Sequence, residues 1–303
     1  MTDVSGQSFV PSAAVGPKVA KASVAHRLRV LREQAGMSAA TVAATMDWSV
    51  SKLTRIEKGE VTVQPLEVRA LLAHYGVTDE DLLADFSRLA RTSRTRQWYS
   101  RHRLNGAFAD FVAYEHEAVA IRIWQVLFVP GLLQTREYAR AITALTLRTD
   151  PNDEQVKARV DLRIDRQQAF FERLGGPDSP RLMSVIDEGV LRRPVGGRDV
   201  MLQQLDHLLS LAESTGAVEL GVAPLDLERH SGLGGSFELL QFSAESHGDV
   251  LFVEAAAGHD FIRTDQESTA RHGALFQDLL DYGRTGDRAL QLIRSIRDEM
   301  RGS

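Results

Sequence analysis

The sequence predicts a multidomain protein in which an all-α domain of five short helices precedes an α+β domain with a mainly antiparallel sheet. Three observations predict this. At 303 residues the chain is longer than one typical domain. Apolar residues recur at helical spacings of three and four up to about residue 90, whereas short strand-like runs between Gly and Pro breakers appear only later. Charge divides in the same way. From Lys18 to Arg103 basic residues exceed acidic ones by 6, residues 104–303 carry a balance of −10, and Asp3 completes the net −5. An anionic polymer is attracted to the first stretch and repelled by the second.

Composition removes several classes of protein. With no cysteine there is no disulfide, no thiolate metal site and no cysteine nucleophile, which fits a reducing cytoplasm. Hydrophobic residues at 43% and charged residues at 25% suit a globular chain with a real core. No apolar run reaches the roughly eighteen residues of a membrane span, so no membrane is expected as a partner. Residues 1–17 are rich in Ser, Gly, Pro and Ala, lack the basic start and apolar middle of a signal peptide, and read as a disordered arm.

The helical domain covers residues 18–90. Val24, Leu28 and Leu31 give a first helix its apolar face, and Gly36 ends it. Ser38 has the place of an N-cap for a second helix through Met46, and Ser49 caps a third that runs to Lys58 and stops at Gly59. Pro65 opens a fourth helix ending at Gly76, and Thr78 or Asp79 opens a fifth through about Leu89. A polar, basic run at 91–96 begins a linker over residues 91–110, which is a solvated connector or an added phosphate contact.

The α+β domain follows as residues 111–303. Residues 120–129 are strand-like and break at Pro130 and Gly131; helical patterns cover 134–147 and 153–174. Arg181–Asp187 reads as a strand and Arg198–Glu213 as a helix. Strands follow at 218–222, 236–242 and 250–254, with 232–236 read as a hairpin turn, and helices near 267–282 and 287–301 close the chain. Short turns between the later strands favour antiparallel pairing.

The second and third helices carry the chemistry. A DNA-reading pair of helices needs a small residue at a tight crossing, apolar residues inward, and short polar or basic side chains at the start of the second member. Ala43 supplies the small residue, with Val42, Met46, Leu53 and Ile56 inward, while Ser49, Ser51, Lys52, Thr54 and Arg55 form the exposed polar set. Ser38 and Thr41 are placed for phosphate contact, as is Arg27 of the first helix. Arg55 and Lys52 are the base-reading candidates because basic side chains recognise guanine O6 and N7; Arg55 on a phosphate is the alternative.

The run from Leu28 to Gly59, with Met37-Ser38, Val42-Ala43, Ser49, Ser51, Leu53 and Arg55-Ile56-Glu57, resembles the xenobiotic-response-element (XRE) family of helix-turn-helix regulators. The resemblance implies the five-helix, lambda-repressor-like fold of phage repressors. It also implies that Glu57 pairs with Arg29 or Arg32, and that Gly59 takes a left-handed helix end. Ala39 stands where the family often has glutamine, which shifts base reading toward Ser51–Arg55.

A second resemblance covers nearly all of residues 110–295. It rests on Tyr114-Glu115, Val129-Pro130-Gly131-Leu132-Leu133-Gln134-Thr135, Tyr138-Ala139, Arg163, Arg166-Gln167, Asp187-Glu188, Leu191-Arg192-Arg193, Gln204-Leu205, Gly234-Gly235-Ser236-Phe237 and Val253-Glu254. These strings are similar to a C-terminal domain of undefined role that follows this DNA-binding domain in actinomycete-type regulators, some described as antitoxin-like. The resemblance implies a small partner protein.

Several readings of this half stay open. Pro130-Gly131 is a turn or the rim of a pocket, in which Gln134, Thr135 and Tyr138 would face a ligand or partner. Glu188 with Arg192 is a helix-surface ion pair or a ligand clamp. His230, His247 and His259 lack metal-ligand spacing, and no cofactor is expected. Trp98, Trp124, Phe108, Phe111 and Tyr114 are core or domain-interface aromatics, or a small-molecule cage.

The expected function is a sequence-specific regulator bound to double-stranded DNA as a homodimer. Its second domain receives a signal from a small partner protein or a small-molecule effector. No nucleophile elbow, metal spacing or dinucleotide fingerprint marks it as an enzyme; an enzyme or an interaction scaffold fused to the helical domain is the alternative.

Overall fold

The computed structural model describes residues 15–104, 106–176, 179–228, 230–243, 248–254 and 260–302. Residues 1–14 of the expected arm, together with His247 and His259, lie outside the described residues. The chain divides into two units, with the boundary between Ser100 and Arg101.

Among the described residues the first unit holds five helices: α1 (Pro17–Gln34), α2 (Ala39–Thr45), α3 (Val50–Glu57), α4 (Pro65–His74) and α5 (Glu80–Thr92). Local chemistry sets their ends. The Ser38, Ser49 and Asp79 side chains accept from the Thr41, Lys52 and Leu82 backbone N–H groups, each satisfying a donor that the helix leaves open. Pro65 starts α4, where a missing N–H costs nothing, and Glu67 Oε2 takes the Gln64 N–H at 2.9 Å. Pro17 starts α1 in the same way, so α1 begins well before Val24 and the last position of the expected arm is helical. Gly59 has φ +67°, the left-handed helix end that glycine adopts without strain. Val24, Leu28, Val42, Leu53, Ile56, Leu71, Leu72 and Phe86 form the core.

Much of the expected linker is ordered backbone. Residues 91 and 92 close α5, Trp98–His102 is a 3-10 turn, and α6 (Gly106–Glu117) occupies the end of it. The aromatic positions 108 and 111 belong to that helix.

The second unit is built on a mixed seven-stranded sheet in the order β6-β5-β4-β1-β2-β3-β7. Its strands are β1 (Ala120–Gln125), β2 (Arg181–Asp187), β3 (Val218–Ala223), β4 (Phe237–Gln241), β5 (Val250–Val253), β6 (Phe261–Arg263) and β7 (Arg284–Thr285). Helices α7 (Arg136–Leu147) and α8 (Glu154–Phe171) lead from β1 to β2. Then α9 (Glu188–Arg192) and α10 (Arg198–Ser214) lead to β3, and α11 (Gln266–Tyr282) and α12 (Asp287–Gly302) flank β7.

Most neighbouring strands are antiparallel, as expected, but β1, β2 and β3 are mutually parallel. The long helical crossovers allow that, since parallel neighbours need a dozen or more residues between them. The strand after Ala120 also ends at Gln125, well short of Val129.

The segment read as a hairpin turn is not one. Beta strands β3 and β4 are not neighbours; the chain passes from one side of β1 and β2 to the other, and Ser231–Gly234 forms a 3-10 turn on the way. The turn fits there because Trp124 Nε1–H donates to Gly232 O at 2.9 Å, and a Cβ on Gly232 would stand 2.4 Å from the Trp124 ring.

Strand alternation divides the core. Trp124, Val185, Phe237, Leu239 and Leu251 face Phe276 and Leu279 of α11. On the other face Phe252 stacks on Phe111 of α6 with ring centroids 4.0 Å apart. The same layer buries the α6–α8 ion pair: Arg166 Nε and Nη2 donate to the two Glu115 carboxylate oxygens at 2.7 and 2.6 Å. Burial, with the Glu115 charge added, pushes the nearby Glu238 carboxyl up to about 8.

Candidate nucleic-acid interface

Helices α2 and α3 pack closely because Ala43, 1% exposed, leaves room where they approach. Their turn closes with Trp48 N–H on Ala43 O at 2.8 Å, and Asp47 takes a left-handed φ of 54°. Helix α3 is then fixed from two sides. Toward α1, Arg32 grips Glu57 with Nε on Oε1 at 2.7 Å and Nη2 on Oε2 at 3.0 Å, and its Nη1 donates to Met37 O. Of the two arginines the resemblance offered to Glu57, the partner is Arg32; Arg29 pairs with Glu33 one turn along α1. Toward α4, Lys52 Nζ meets Glu67 Oε1 at 2.7 Å and stands 3.7 Å from the centre of the Trp48 ring. The Lys52 contact, with the Gln64 N–H, outweighs burial and holds the Glu67 carboxyl below its ordinary range.

What remains outward on α3 is polar and basic apart from Val50. Ser49, Ser51, Arg55 and Lys58 are exposed, and Thr54 is half-buried with its hydroxyl donating to Val50 O. Arg55 is 57% exposed, and its Nε stands 3.5 Å from Glu60 Oε2, itself half exposed, a long surface contact that water can replace. On α2, Ser38 and Thr41 are exposed and share a 2.8 Å hydroxyl contact. The Ser49 hydroxyl accepts the Lys52 N–H and keeps its proton to donate to a phosphate oxygen, while Ser38 and Thr41 share one proton between their hydroxyls.

Two of the sequence candidates are moved by the geometry. Arg27 is not presented to a ligand: its Nη1 lies 2.7 Å from Asp85 Oδ2, and its guanidinium sits 4.3 Å over Phe86, so it ties α1 to α5. Lys52, though partly exposed, is held as the α3–α4 tie. Ser38, Thr41, Ser49, Ser51, Thr54 and Arg55 lie on α2, α3 or their caps. Val50 at the start of α3, 47% exposed, escaped a reading that looked for polar and charged groups.

The candidates in the second unit serve the fold. Gln134 donates to Val129 O at 2.6 Å, Tyr138 hydroxyl accepts the Val129 N–H at 3.2 Å, and Thr135 caps α7 through the Tyr138 N–H. Gln167 and Gln204 complete this lacing of the loop after Pro130. Gln167 donates to Gly131 O and Gln134 O; Gln204 donates to Leu133 O and accepts from Thr135 N. Both glutamines stood in the quoted strings without an assigned role. Gln134 and Tyr138 are buried, at 1% and 0% exposure, so neither faces an open pocket. Glu188 accepts from Arg192 at 2.6 Å and from Leu225 N–H at 2.9 Å, while Arg192 reaches on to Glu299, which favours the ion-pair reading over a clamp. His230 Nδ1 accepts the Gly232 N–H, so its ring proton sits on Nε2, facing Asp187 Oδ2 at 3.3 Å. Trp124 and Phe111 are core residues, 0% and 1% exposed.

A small five-helix unit whose third helix is clamped on one side and polar on the other defines a protein with a helix-turn-helix DNA-binding domain. Residues 23–86 match the family described as Helix-turn-helix domain. Residues 108–295 match the family described as Domain of unknown function (DUF5753), and the chain belongs to that family. No curated protein matches the chain. Among the described residues no helix is long and apolar enough to cross a membrane.

Proposed function

We propose that this chain is a sequence-specific transcriptional regulator of the XRE type, cytoplasmic and without catalytic activity of its own. One observation carries the reading: the two sides of α3 that touch the protein are bolted by Arg32–Glu57 and Lys52–Glu67, and the remaining side presents Ser51, Thr54, Arg55 and Lys58 outward. A rigid helix with an exposed arginine is what recognition of base edges requires, because the arginine must be aimed before it can discriminate.

The second domain, in this proposal, dimerises the protein and receives a signal from a small partner protein or a ligand. One such module covers little DNA, and two half-sites a helical turn apart multiply both affinity and specificity. The −10 balance of residues 104–303 supports a role away from DNA.

Selection of bound duplexes from a random library by the full chain tests this reading. The expected product is a two-fold symmetric site with half-site centres about 34–36 Å apart. Recovery of no enriched sequence would sink the proposal, and an unpaired single site would remove the dimer from it. Native mass spectrometry of the purified chain reads the dimer and any retained partner or ligand in one spectrum.

A further inference from the structure

Val50 is the first residue of α3 and is 47% exposed, whereas the other apolar side chains of that helix, Leu53 and Ile56, are 0% and 2% exposed. At about 100° per residue, Val50, Thr54, Lys58, Ser51 and Arg55 share an arc of about 140°, with Leu53 and Ile56 on the opposite side. Val50 therefore flanks Thr54 and belongs to the outward face, and it is absent from the residues that build the unit's core. A branched apolar side chain at a helix start gains nothing from helix propensity. The tie of Lys52 to Glu67 holds that cation toward α4, and Val50 is the apolar group on a face it shares with Arg55 and Lys58.

We propose that Val50 is a specificity-determining residue that reads the 5-methyl group of a thymine in the major groove, on the same helix face from which Arg55 reads guanine. This rests on the DNA-binding reading above. The chemistry follows from what each base shows in the groove. Thymine alone presents a methyl group there, while cytosine presents an amino donor. Two methyl groups on Val50 gain apolar contact with thymine; against cytosine they cover a donor and give it no acceptor. The first turn of a recognition helix is the part that meets base edges, which is where Val50 stands.

The test uses the full chain and the site recovered by selection. Each thymine is replaced in turn by deoxyuridine, which removes the 5-methyl group and leaves the hydrogen-bonding edges unchanged. At one or more thymines the wild-type protein should lose about fourfold in affinity, the value of one buried carbon. The V50A protein should bind the thymine and uracil duplexes equally. Val50 is outside the core, so the variant should keep the wild-type circular dichroism spectrum and melting temperature. The proposal is overturned if V50A retains the wild-type uracil penalty, or if no thymine shows a penalty with the wild type. A selection that enriches no sequence is a different failure: it removes the DNA-binding reading itself, and this inference with it.

Discussion

Arg32 and Glu57 meet through two parallel hydrogen bonds across the 25 residues between α1 and α3, and both side chains are largely withdrawn from water, at 12% and 7% exposure. The Glu57 hydrogen bond and charge outweigh burial and raise the Arg32 guanidinium above its usual value. The pair sets the position of α3 against α1. Glu57→Ala leaves a guanidinium without its partner and should cost about 2–3 kcal/mol in urea unfolding. Arg32→Met with Glu57→Leu should recover most of it. A single-variant loss under about 0.5 kcal/mol, the scale of a surface pair, would show that the pair does not anchor α3.

Arg27 and Arg55 should behave as opposites. Arg27→Ala removes one of the two arginines on the buried Asp85 carboxylate and leaves Arg88 at 2.6 Å, so about 1 kcal/mol of stability is lost while the salt dependence of DNA binding stays unchanged. Arg55→Ala should leave stability unaltered and relax base preference at one position by about 1–3 kcal/mol, read by competition among selected duplexes. A salt slope that flattens in the Arg27 variant would return that residue to the DNA surface.

Glu67 restrains Lys52. Glu67→Gln keeps an oxygen for the Gln64 N–H but removes the charge that holds the ammonium, so Lys52 becomes free to neutralise a phosphate. The slope of log affinity against log salt should steepen by about 0.9, one added phosphate contact on duplex DNA. An unaltered slope would mean that Lys52 cannot reach the backbone even when released.

Glu238 gives the second unit a pH dependence. Its carboxyl is buried, with Oε2 unpartnered, facing Glu115, Arg166 and Glu254, and it is held up to about 8. Because the folded value exceeds the unfolded one, the stabilising contribution is complete below the ordinary carboxylate range and declines as pH rises through about 8. Thermal unfolding of the wild type should therefore weaken from about pH 5 to pH 9, and the Glu238→Gln protein should show a flatter profile over the same interval. Parallel profiles for the two proteins would remove Glu238 as the cause.

Gly232→Ala should destabilise the second unit by about 1–3 kcal/mol and perturb tryptophan fluorescence, because the new methyl group meets the Trp124 ring. Gly234→Ala, where a Cβ meets nothing within 4 Å, is the matched control. Equal stability of the two variants would show that the close approach is not required.

What the sequence made legible was local. Ser38, Ser49, Asp79, Pro65 and Gly59 announce helix ends because the groups they satisfy lie within four residues. The tie of Arg27 to Asp85 was not legible because the partner is 58 residues away, and nothing near Arg27 records it. Lys52 was read as a free cation for the same reason. In the second unit the longer helices and strands were visible, whereas α6, α9, β6 and β7 were not, nor was the parallel association of β1, β2 and β3, which depends on which distant strands meet. Strand β7 is only two residues long and has no alternation to detect. Tyr138 and Gln134 looked like ligand groups because a buried polar side chain that holds a loop and one that holds a ligand have the same letter.

The Trp124–Gly232 hydrogen bond joins residues 108 positions apart, and β1 pairs with β4 across the same gap. A ribosome must therefore release more than a hundred residues after β1 before that strand, already able to meet β2, has its second partner β4. Every helix of the first unit finds its neighbours within the opening 92 residues. Closing the long loop carries the larger entropy cost and sets the slower step. The helix-turn-helix domain is thus complete on the nascent chain while the centre of the sheet is still open, and refolding from urea should separate into a fast helical phase and a slow one that restores Trp124.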